Sequence, residues 1–268
     1  MFYPSSGVEL KQTVSGYLVE AKSSPAIGLI SPHAGYIYSG RVEGAVYSEV
    51  DIPPTVLLLG PNHRLTLNEV YRKASIVPAG VFITPLGEVA IDERLAAAFL
   101  GRSDLVVEDT ASHLLEHSLE VQLPFLQVKR PDVRIVPLLL NIGWQEEDEE
   151  LYDFCRSWGE LMSSAIREHN GQVLIVASSD MNHYESRQRT REKDRMALER
   201  IEALDAEELL RITGSEDISV CGRVAVATLI EAAKRLGATE ARVVMHGDSG
   251  DVSGDLDGVV GYAGVVIR

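Results

Sequence analysis

Cysteine is nearly absent from this chain: 268 residues contain two, Cys155 and Cys221. Two thiols cannot staple a chain of this size, which excludes a disulfide scaffold and suits a reducing compartment. No apolar run approaches the ~20 residues that a membrane helix needs. The opening MFYPSSGVELKQ has neither a basic n-region nor an apolar h-region, so no secretory signal is read and a cytoplasmic location is the expectation. Basic charge is also short, with 25 Lys and Arg against 40 Asp and Glu and a formal net charge of −15. That balance repels phosphate backbones and anionic lipid, which argues against nucleic acid and membrane surfaces as partners. Low-complexity tracts, internal repeats and long Ser/Pro linkers are missing too. Residues 1–268 therefore read as one domain.

What is present is a core. Hydrophobic residues make up 45% of the chain, and the mean hydropathy is +0.02, as in a soluble protein with a sizeable core. Continuous apolar runs at 26–31, 55–60 and 172–178 read as buried strands, with a further strand candidate at 70–80 that ends near Pro78. The run 133–141 contains Pro137, which predicts an edge position or a bulge. Helical spacing covers 40–50, 92–101, 117–130 (interrupted at Pro124), 145–171, 186–204, 205–214 and 222–237. The 186–204 helix is so charged that it is expected to be largely solvent-facing. Acidic clusters such as QEEDEEL fall on a helix start, where carboxylates favour the dipole. Two last strands, 241–247 and 258–268, flank a Gly/Asp-rich connection. Apolar strands alternating with helices predict a three-layer α/β/α sandwich with a mostly parallel or mixed central sheet.

Chemistry gathers where strands end. AIGLIS runs into PHAGYIYSG and places His33; TVLLLG runs into PNH and places His63; VLIVAS runs into SDMNHY and places Asp180 and His183. Ligands of open parallel sheets bind beyond the carboxyl ends of strands, so these exits are expected to converge. Cys221 precedes a helix start, a location expected to lower its pKa and favour thiolate. His117 sits between Glu116 and Glu120. Imidazole and thiolate together suit Fe(II), Cu or Zn and not Mg or Ca. Asp180 is placed to orient a ligand or take a proton. Gly35, Gly40, Gly60 and Gly222 fit turns where the backbone approaches a ligand. His113, His169 and His246 have no neighbours that lift them above ordinary structural roles.

Two motif-like stretches carry no such weight. HGDSGDVSGDLDG (246–258) contains GDSG, but Asp251 follows where a serine-protease loop needs Gly, and its carboxylate spacing misses the alternation of a calcium loop. It reads as a solvated connection. HAGYIYSGRVEG lacks the Lys-Ser/Thr of a P-loop, and no dinucleotide fingerprint appears.

Taken together, SPHAGYIYSG, LLLGPNH, EHSLEVQLPFL, SSDMNHY and VCGR resemble the Memo family, the B component of the AmmeMemoRadiSam group, from about Ile27 to the C-terminus. The resemblance implies an α/β/α fold similar to the class III extradiol dioxygenases of the LigB type. It implies metal ligands at His33, His63 and Cys221, with Asp180, His183 and His117 at further pocket positions. It also implies association with an AMMECR-type protein and a radical SAM protein. Two departures stand out: Arg64 follows GPNH where some relatives have a second His, and SSDMNHY replaces SSDFCHW. The leading expectation is Fe(II)-dependent redox or dioxygenase-like chemistry, with Cu or Zn as other occupants and with Asp180, His183 and His117 in catalytic roles. A zinc-dependent hydrolase and a non-catalytic adaptor binding a peptide or partner in the same pocket are the competing readings. Extradiol relatives use a carboxylate where this chain has Cys221, which sets ring cleavage apart from the simplest transfer of function.

Overall fold

The computed structural model describes residues 2–64, 73–101, 104–142, 148–169 and 171–268. The first helix, α1 (Gly7–Tyr17), starts at Ser6, whose hydroxyl accepts the Glu9 N–H. β1 (Gly28–Ser31) leads into α2 (Tyr36–Ser48), which begins four residues earlier than the sequence pattern predicts. β2 (Thr55–Pro61) and β3 (Lys73–Ile76) follow, then a hairpin of β4 (Val81–Thr84) and β5 (Gly87–Ile91). The first residues of the 70–80 candidate lie outside the described residues, and its strand ends at Ile76, before Pro78. α3 (Glu93–Leu100), β6 (Val106–Glu108) and the one-turn α4 (Thr110–Leu114) lead to a 3-10 turn at Glu120–Gln122. That turn passes into α5 (Leu123–Lys129), so Pro124 lies in the first turn, where its missing N–H is harmless.

The second half runs β7 (Arg134–Asn141), α6 (Asp148–Glu168), β8 (Val173–Ser178), β9 (His183–Glu185), α7 (Arg187–Glu202), α8 (Ala206–Ser215), α9 (Arg223–Leu236), β10 (Ala241–Asp248), α10 (Gly250–Ser253) and β11 (Val259–Ile267). Among the described residues these strands form one mixed sheet, with the order β10-β11-β1-β8-β2-β7-β3-β6 along its main path. β1, β8, β2 and β7 are mutually parallel at its centre, and their side chains are buried almost throughout. Helix α2 covers β1, β10 and β11 on one face, with α1 and α5 beside it. α9 covers β1, β2 and β8 on the other, with α6 and α8 packed against it. The three layers predicted from sequence are present. Among the described residues, no helix is long and apolar enough to cross a membrane.

Three expectations need correcting. Pro137 lies in a central strand, between β2 on one flank and β3 and β5 on the other. β5 pairs with β7 only at Arg134 and Ile135, and β3 begins at Leu138, so Pro137 occupies the gap between the two partners. A residue without an N–H is tolerated there because no neighbour requires it. Helix α7 is not merely solvent-facing: Lys193 and Asp194 point inward, Lys193 to Glu185 (2.8 Å) and the Asp217 carbonyl (2.7 Å), Asp194 to His246 (2.8 Å). The 246–258 stretch is likewise more than a solvated connection. Asp248 is buried and holds both Arg187 and Arg191 of α7, while 250–253 forms α10.

α6 and α9 pack closely because Gly159 presents no side chain between them. A Cβ there would lie 2.5 Å from Glu231 Cβ and 2.9 Å from the Ala232 nitrogen. Overpacking a site closed by backbone costs about 1–3 kcal/mol. Gly159→Ala is therefore expected to lower the unfolding free energy by that amount, read by circular dichroism as a lower urea midpoint with an unchanged slope.

Candidate functional site

The parallel register puts the exits of β1, β8 and β2 on one edge of the sheet, with Ser31 paired to Ser178. Two bonds tie the first two exits together. The Ser179 N–H reaches the Ser31 carbonyl (2.9 Å), and Asp180 Oδ1 accepts the His33 backbone N–H (2.8 Å).

The ring of His33 is 2.9 Å through Nδ1 from Ser178 Oγ. Ser178 has one hydroxyl proton and gives it to the Ser118 carbonyl (2.6 Å), so its lone pairs accept from Gln122 Nε2 (3.0 Å) and from His33. His33 is therefore the Nδ1–H tautomer, and its Nε2 lone pair faces Cys221 Sγ at 3.3 Å. His63 follows the same logic. Its Nδ1 donates to Glu116 Oε1 (2.9 Å), which leaves Nε2 bare. His183 donates through Nδ1 to the Ser219 carbonyl (2.8 Å), with the same result.

In the sequence Glu116 stands out only as a neighbour of His117, yet it organises this corner. Besides the His63 ring, its carboxylate accepts the backbone N–H groups of His63 (2.6 Å), His117 and Ser118 (2.8 Å each). Burial alone would raise its pKa. The bonds and charge from His63 and the backbone donors overcome that and hold it down at about 2. The available signal was a Glu directly before a candidate His, a common pattern that stands out only once β2 is seen to end beside it.

Cys221 lies in the turn between α8 and α9, and its sulfur accepts the Asp180 N–H at 3.2 Å. The expected lowering of its pKa is overturned. Burial, and then the nearby Asp180 carboxylate, push the thiol well up, outweighing its donors. Burial also raises Asp180 and, with His63 and His117, lowers His33 well below the ordinary imidazole range. Of the glycines singled out, Gly60 and Gly222 make room for protein, whereas Gly35 lines the pocket beside His33. A Cβ at Gly222 would lie 2.5 Å from the Ser178 carbonyl oxygen, and one at Gly60 would lie 2.7 Å from Ser118 Oγ.

One ligand atom each from His33, His63 and Cys221 lies within 4.8 Å of the other two, and His63, Glu116 and His117 form a second such group. Asp180, His117 and His183 line the same cavity, of about 750 Å³, together with Phe2, Tyr184 and Tyr262. All six residues singled out in the sequence thus meet. His113, His169 and His246 do not join them: they bond the Ser75 carbonyl (3.0 Å), Asp92 (3.1 Å) and Asp194 (2.8 Å).

Comparison with known proteins identifies the family. The profile of the family described as "Memo-like protein" matches residues 1–266. The chain belongs to the Memo-like family. A MEMO1 family protein of Thermotoga neapolitana is 39% identical, covering 100% of this chain and 96% of its own. One of Desulfurococcus amylolyticus is 36% identical, covering 98% and 94%. The crystal structure of an uncharacterized protein of Escherichia coli K12 shares the fold, with TM-score 0.57, 12% identity and coverage of 90% of this chain and 99% of that one. In this Memo-like chain the position after GPNH, Arg64, donates its backbone N–H to Asn62 Oδ1 (3.0 Å).

The depressed Glu116 pKa sets a pH dependence. A carboxyl lowered to about 2 stabilises the fold above its unfolded pKa near ~4.3, and that stability is lost as pH falls through ~4 toward ~2. Glu116→Gln is expected to be less stable than wild type by roughly 3 kcal/mol at neutral pH, the gap narrowing below about pH 4. Urea unfolding at a series of pH values checks this; a gap constant down to low pH would contradict it.

Proposed function

We propose that the cavity is a mononuclear metal centre supporting redox, dioxygenase-like chemistry on a small molecule, with His33, His63 and Cys221 as ligands. The observation that carries this reading is the convergence of their donor atoms within 4.8 Å, with both imidazoles already committed through Nδ1. Outer-shell bonds of that kind orient metal-binding histidines. The donor set fits a borderline or soft ion: two neutral imidazoles and a thiol match Fe(II), Cu or Zn and are poorly suited to Mg or Ca. We assign Fe(II) as the resident ion, with Cu or Zn as other occupants.

When bound, the ion would supply Lewis acidity and, for iron or copper, a redox electron. The remaining roles fall to the chain. Cys221 would lose its proton as an ion enters, since thiolate is the binding form. His183 would accept a proton at Nε2, the nitrogen its bond to Ser219 leaves free. Asp180, whose Oδ1 takes the His33 backbone N–H, would orient a bound ligand or take a proton from it. His117 lines the same cavity and is the alternative acid or base.

The test is anaerobic purification followed by metal analysis of wild type, Cys221→Ala and His63→Ala. Wild type is expected to carry about one iron per chain and each variant less than about a tenth of that. Equal iron in all three would end the ligand assignment, and zinc in iron's place would turn the reading to metal-assisted hydrolysis.

A further inference from the structure

Three of the four cavity histidines are oriented by short Nδ1 hydrogen bonds: His33 at 2.9 Å, His63 at 2.9 Å and His183 at 2.8 Å. His117 is not. Its Nδ1 lies 3.4 Å from Glu116 Oε1, an oxygen already taken by the His63 ring and two backbone donors. What fixes the His117 ring is its two faces. One stacks on Phe2, with centroids 4.2 Å apart and planes 11° apart; the other stacks on His63, at 4.9 Å and 20°. Aromatic rings at such offsets attract one another, and a stack constrains ring rotation as a hydrogen bond would.

Phe2 is itself held firmly enough to act as a platform. Its carbonyl accepts the Tyr36 N–H (2.8 Å), the first N–H of α2, whose cap residue Gly35 offers no side chain. Next to it, the Tyr3 hydroxyl donates to Glu120, and the Tyr3 ring leans on Tyr36 at 5.5 Å. The Phe2–Tyr3 segment thus joins the loop carrying His33 to the turn carrying His117.

We propose that Phe2 is a positioning residue of the cavity, fixing the His117 ring parallel to His63 and, through that ring, steadying His63. The second half of this statement rests on the reading of His63 as a metal ligand; the first does not.

The experiment compares Phe2→Leu, which removes the ring but keeps apolar bulk, with Phe2→Tyr, which keeps the ring. In metal-free protein, the His117 Hε1 proton is expected to lose the part of its ring-current shift that Phe2 supplies in Phe2→Leu and to regain it in Phe2→Tyr. In protein loaded anaerobically with Co(II), loss of the ion to excess chelator is expected to quicken about tenfold in Phe2→Leu, and to return to the wild-type rate in Phe2→Tyr. In a His117→Ala background, Phe2→Leu should add nothing further, because its effect passes through that ring. An unmoved His117 signal in Phe2→Leu, or an undiminished effect in the His117→Ala background, overturns the proposal. Wild type that takes up no Co(II) overturns the metal reading instead, and the His117 signal then decides the role of Phe2 by itself.

Discussion

The rest of this structure depends on the parallel register of β1, β8 and β2. Because Ser31 and Ser178 end side by side, the chain leaves the core at one edge and deposits His33, His63 and the Asp180–His183 segment within reach of one another. The strands are set by burial alone, since their apolar side chains cannot be left in water. The polar exits are the residues that remain once those strands are full. Ser178 makes the junction directional: with one proton, spent on the Ser118 carbonyl, it can only receive from His33. A packing constraint thereby becomes a choice of tautomer, and the tautomer decides which nitrogen faces the cavity.

Much of this was legible in the sequence, for identifiable reasons. Continuous apolar runs report a sheet covered on both faces, and their polar ends report its functional edge. All six residues picked at those ends and turns line one cavity. What escaped depends on partners distant in the chain. Pro137 looked like an edge residue because nothing local reveals that β5 stops and β3 starts on either side of it. The β4–β5 hairpin is short and half-exposed, so it carries no strong apolar signal. Glu116 and Phe2 owe their roles to what they touch across the fold, and a dipeptide or an opening aromatic gives no hint of that.

Cys221 teaches a different lesson. Proximity to a helix start suggested a ready thiolate, yet the turn buries the sulfur beside a carboxylate, and burial outweighs the peptide dipoles. Local sequence gives the sign of one contribution, whereas the three-dimensional environment decides the sum. The same holds for α7, whose charged residues read as a wet surface. Two of them are satisfied inside, and two arginines are drawn onto the buried Asp248. A chain carrying a net charge of −15 thus uses some of its scarce cations to fasten its last strands to a helix.

Asp180 ties together parts of the chain that are far apart in sequence. Its side chain takes the His33 N–H while its own N–H points at the Cys221 sulfur. One peptide unit is thereby a rivet between the first strand's exit and a turn about 190 residues downstream. Distortion that pulls either region away is felt by the other. The relative placement of imidazole and sulfur consequently belongs to the shared framework of the protein, and neither loop can drift independently while that rivet holds.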